Sequence, residues 1–80
     1  MTTHKLQPEQ VALLRKAHQQ THDRAAADRI KAVILLSEGW ESAKVAEALF
    51  LDERIVRASF RIFERDGLDG LHAGWSLGLD

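Results

Sequence analysis

Eighty residues set the scale at one small domain, and a core of that size is only marginally stable without help from a partner, a metal or a disulfide. The chain has no cysteine, which excludes a disulfide framework and a thiolate metal site and fits a reducing cytoplasm. Eleven Lys/Arg stand against 12 Asp/Glu for a net charge of −1, so nucleic acid cannot be held by bulk charge and any such contact has to come from a local patch.

The opening stretch MTTHKLQPEQ lacks the apolar core of a signal peptide, and the run Ala32 to Leu36 is too short to cross a bilayer. A first helix is expected to start at Pro8, which suits the first helical position, and to run to Gln19 or Gln20. Gln10 supplies half of a capping box, Leu6 and Val11 a hydrophobic staple, and Val11, Leu14 and Ala17 the inward face. Thr21, His22 and Asp23 break the pattern, with Asp23 placed to cap the next helix.

The segment from Arg24 to Ser37 is the most apolar of the chain. Ala26, Ala27, Ile30, Val33, Ile34 and Leu36 cover a wide arc rather than a stripe, which predicts a central helix. Gly39 ends it. A third helix begins at Glu41 or Ser42 and ends at Leu49 or Phe50, with Val45, Ala46 and Leu49 inward; Trp40 is expected to pack the preceding corner. Asp52 caps a fourth helix that reaches Asp66 and is ended by Gly67.

That fourth helix is amphipathic in a definite way. At about 100° per residue, Arg54, Arg61 and Arg65 fall within about 20° of one line, opposite Val56, Phe60 and Phe63. Arg57 lies on the flank beside Glu53 and Glu64, and Ile55 and Ile62 occupy the other flank. Any solvated helix shows a charged outer face. A short helix and a three-residue corner before it make the combination a device for presenting one helix to a major groove.

With these residues in place the chain resembles a known family, the N-terminal helix-turn-helix region of bacterial insertion-sequence transposases related to the mariner group. The resemblance rests on Arg29-Ile30-Lys31-Ala32-Val33-Ile34-Leu35-Leu36-Ser37-Glu38-Gly39, on Val45-Ala46-x-x-Leu49, on Val56-Arg57, and on Phe63-Glu64-x-x-Gly67-Leu68-x-Gly70-Leu71, spaced without a gap from Leu6 to Leu71. It implies a homeodomain-like fold that reads duplex DNA through its last helix, with catalysis left to a separate carboxylate-bearing domain. The sequence departs from the family where Phe50 replaces a glycine at the corner, where Asp52 and Ile55 replace Ser and Thr, where Ser59 replaces an aromatic, and where HAGWSLGLD replaces a basic arm.

The expected fold is therefore all-α: a compact bundle of about four helices containing a helix-turn-helix over residues 1–71, with a short non-helical tail over residues 72–80. The expected function is DNA binding without catalysis. Arg54, Arg57 and Arg61 would approach bases or flanking phosphates, Arg65 the backbone, and Lys44 would anchor the third helix. In the tail, Leu71, Ala73, Trp75, Leu77 and Leu79 alternate with polar residues and glycine. Period two puts the apolar set on one face, which either folds back on the helices, clasps a second copy through Trp75, Leu77 and Leu79, or is linker. A competing function follows, a protein-interaction module that keeps the fold without the DNA. No cofactor is implied: His18 and His22 share a spacing with zinc sites, but no third ligand accompanies them.

Overall fold

The structure, a computed structural model, describes residues 5–72. Among these residues the chain forms five helices, α1 Pro8–Gln20, α2 Arg24–Ser37, α3 Ser42–Leu49, α4 Glu53–Asp66 and α5 Leu68–His72, and no strand. The all-α expectation holds, and α5 is an addition to it.

Each helix starts and stops for a local reason. Gln7 precedes α1 in extended conformation, and its N–H donates to Gln10 Oε1 at 2.9 Å, closing half of the expected capping box. Asp23 accepts from the Ala25 N–H at the start of α2, and Asp52 accepts from the Arg54 N–H at the start of α4, each satisfying one of the donors a helix start leaves free. At the end of α2 the Trp40 N–H reaches the Leu35 carbonyl at 3.2 Å and the Gly39 N–H the Leu36 carbonyl at 3.1 Å. Gly39 sits at φ 100°. This is the paired-bond closure that a left-handed residue after a helix allows.

The wide apolar arc of α2 does place it centrally. It packs against α1, α3, α4 and α5, and Ala26, Ile30, Ala32, Val33, Ile34 and Leu36 are all buried. Around it close Leu14 of α1, Val45 and Ala46 of α3, Val56, Phe60 and Phe63 of α4, and Leu71 of α5. Two expectations for packing are corrected. Val11 is only half-buried, leaving Leu14 as the buried residue of α1, and Trp40 stays 42% exposed instead of filling its corner.

Gly67 ends α4, but the chain does not become irregular there: Leu68–His72 form one more helical turn, so helix runs one residue beyond the expected boundary at Leu71. The reason lies in Gly70. A Cβ at that position would stand 2.7 Å from Ile62 Cγ2 and 2.9 Å from Asp66 Cβ, so only a glycine lets α5 lie this close to α4. Leu71 is then fully buried, and Arg29 of α2 fastens the turn from the other side, donating from Nε (3.0 Å) and Nη2 (2.8 Å) to the Leu71 carbonyl. A cation at a helix C-terminus also meets the negative end of its dipole. Trp75, Leu77 and Leu79, with the alternation that suggested a clasp, lie outside the described residues.

Candidate nucleic-acid interface

α3 and α4 are joined by Phe50, Leu51 and Asp52. The corner closes like the one before it: the Leu51 N–H donates to the Ala46 carbonyl at 2.9 Å and the Phe50 N–H to the Glu47 carbonyl at 3.4 Å. Leu51 packs on the core as the anchor. Phe50 takes the left-handed position, at φ 57° and ψ 42°, and is the one non-glycine residue with positive φ among the described residues. A Cβ in this conformation costs roughly 1–2 kcal/mol. The aromatic ring recovers nothing from the core, because Phe50 is 94% exposed.

On α4 the division into two faces is as the spacing indicated. Val56, Ala58, Ser59, Phe60 and Phe63 are buried, and Arg54, Arg57, Arg61 and Arg65 are exposed. Ser59 is fully buried and disposes of its hydroxyl by donating to the Ile55 carbonyl at 2.7 Å, so no polar group is stranded in the core.

The state of the cations was not legible in the sequence. Arg54 lies 3.7 Å from the Asp52 carboxylate, Lys44 3.8 Å from Glu47, Arg57 2.6 Å from Glu53 and Arg65 3.0 Å from Asp66. Hydrogen bonding to Asp66, and then its charge, raise the Arg65 pKa above the ordinary arginine value. Arg61 is the exception, exposed and without an ion pair among the described residues. All four pairs are solvated, and pairs of that kind hold their partners weakly. The face is thus rich in cations and close to neutral.

Ser42 does not cap α3. Glu41 is the residue before α3, in extended conformation and without a capping side-chain bond, while Ser42 is the first helical residue. Its hydroxyl donates across the corner to Glu53 Oε2 at 2.8 Å, the same oxygen that accepts from Arg57 Nη1 at 2.6 Å. Of the two carboxylates flanking Arg57 in sequence, Glu53 is the one engaged. Arg29 was visible to sequence reading only within a motif. Burial lowers its pKa, with Asp23 and Asp28 opposing the shift by their charges, and its bonds to Leu71 explain why a cation occupies that site.

Away from α4, a shallow cavity of about 330 Å³ lies between α1 and α2, crossed by the Arg15–Glu38 ion pair and bordered by His18 and Lys31. His22 falls in the break after α1, and no three His, Cys, Asp or Glu side chains come together as metal ligands among the described residues. No described helix is long and apolar enough to cross a membrane. No protein-family model, curated protein or solved structure matches the chain.

Proposed function

We propose that the protein is a duplex-DNA-binding helix-turn-helix module of the kind found in mariner-related transposases, with α4 as its reading helix and no catalytic step of its own. The observation that supports this reading most is the exposed row Arg54, Arg57, Arg61 and Arg65 on α4, opposite the buried Val56, Phe60 and Phe63 and preceded by a short helix and a tight corner. Arg57 and Arg61 approach base edges, Arg54 and Arg65 the phosphates on either side, and Lys44 steadies α3 on the backbone. Solvated ion pairs hold their partners weakly, so the locally held pairs Arg54–Asp52, Arg65–Asp66 and Lys44–Glu47 exchange for phosphate when DNA arrives.

Titration against duplex DNA at two salt concentrations tests it. Affinity should fall steeply with added salt, because bound phosphates release counterions. Arg57→Ala with Arg61→Ala should remove most of the affinity, since a base-edge contact is worth about 1–3 kcal/mol. Absence of binding at low salt would sink the proposal.

A second reading, a protein-interaction module that has kept the fold, draws on the near-neutral α4 face and the exposed Phe50. It includes self-association through Trp75, Leu77 and Leu79. Light scattering on the full chain and on one ending at His72, which keeps the carbonyl held by Arg29, separates the two readings. If both are monomers, the clasp is wrong.

A further inference from the structure

One carboxylate oxygen on the α4 face has two donors from different places. Glu53 Oε2 accepts from Arg57 Nη1, one turn along α4, and from the hydroxyl of Ser42, the first residue of α3. The other cations of the face are held locally: Arg54 by the cap residue of its own helix, Arg65 by its neighbour Asp66, and Lys44 by Glu47 one turn away. Arg57 is therefore the cation on this face, among the described residues, whose carboxylate partner is itself braced by another helix.

The brace has a chemical consequence for what Arg57 can read. A guanidinium carries five donors in a rigid planar fork, and with Nη1 taken by Glu53 the Nε–Nη2 edge remains open. Two parallel donors on a fixed edge match the O6 and N7 acceptors of guanine in the major groove. The neighbouring carboxylate repels phosphate, which discourages Arg57 from the backbone contact that a free arginine would accept. We infer that Arg57 is the sequence-discriminating residue of the face, selecting a guanine, and that Glu53 braced by Ser42 is its positioning residue. This rests on the DNA-binding reading above.

The test separates selectivity from affinity. Wild-type protein is used to recover duplexes from a library with a randomised centre, and a recovered duplex is compared with a random-sequence duplex. One recovered position should be an invariant guanine, and 7-deazaguanine there, which lacks the N7 acceptor, should weaken wild-type binding about tenfold while leaving Arg57→Ala indifferent. Glu53→Gln and Ser42→Ala should each lower the ratio of selected to random binding about fivefold or more, with random-duplex affinity equal or higher. Ser42→Thr, which keeps the hydroxyl, should retain the ratio. A purely structural role would instead weaken both duplexes together and lower the melting temperature. Selective wild-type binding with Glu53→Gln and Ser42→Ala unchanged overturns the positioning role alone. Failure of wild-type protein to bind any duplex at low salt overturns the underlying DNA reading and this inference with it.

Discussion

Gly39 and Phe50 occupy the same place in two successive corners of one chain. Each follows a helix, each has positive φ, and in each case the next residue's N–H reaches back to a carbonyl in the last turn of that helix. Glycine takes this conformation at no steric cost and phenylalanine does not, so the second corner carries strain that the first lacks. Phe50→Gly should stabilise the fold by about 0.5–1 kcal/mol, the relieved strain being partly offset by the greater freedom of glycine in the unfolded chain. Thermal melts should show a rise of about 2–8 °C. Phe50→Ala keeps the strained backbone and loses only an exposed ring, so its stability should stay within about 0.5 kcal/mol of wild type. A left-handed corner was suggested only by the resemblance, in which a glycine stands where this chain has Phe50. That the ring stays out in solvent was not readable, because burial depends on what lies across the corner in space.

At the scale of elements, α4 and α5 explain a motif that sequence comparison alone treats as a label. Phe63-Glu64-x-x-Gly67-Leu68-x-Gly70-Leu71 ends one helix, turns, and lays a final turn against the first: Phe63 and Leu71 go to the core, and Gly70 permits the approach. Gly70→Ala should destabilise the domain by about 1–3 kcal/mol, measured by denaturant titration, because the methyl meets Asp66 Cβ, an atom that cannot move without its helix. The caps of α2 and α4 and the buried arc of α2 were written in local residue types, and those elements were legible. α5 was not, since a glycine just before a five-residue helix and another inside it carry the signals of a terminator. Only the Leu68 to Leu71 spacing hinted at it.

For the molecule as a whole, the net charge of −1 reappears on the surface that would read DNA, where Lys44, Arg54, Arg57 and Arg65 each have a carboxylate within reach. The sequence showed both signs on α4 but not which cation meets which anion, because side-chain torsions and neighbouring helices decide that. Ser42 with Glu53 is the clearest case, since the two belong to different helices and no spacing rule links them. If this face reads DNA as proposed, its balanced charge makes geometry count for more than bulk attraction. Under the proposed DNA reading its salt dependence should still be steep, with a slope set by the number of phosphates that the cations engage.

The link between Arg29 and Leu71 also bears on the order in which the domain assembles. Those residues are 42 apart in sequence, whereas Ser42 and Glu53 are 11 apart, so the former contact closes the larger loop and forms at the greater entropic cost. We expect it to form late in folding, after α2, α3 and α4 have met. Arg29→Ala should therefore leave the refolding rate within about twofold of wild type and raise the unfolding rate about tenfold, as expected for an interaction absent from the transition state. Stopped-flow refolding and unfolding would show it, and a slowed refolding arm would place the contact in the nucleus instead. On this view an arginine outside the proposed DNA-binding face sets the lifetime of the folded state.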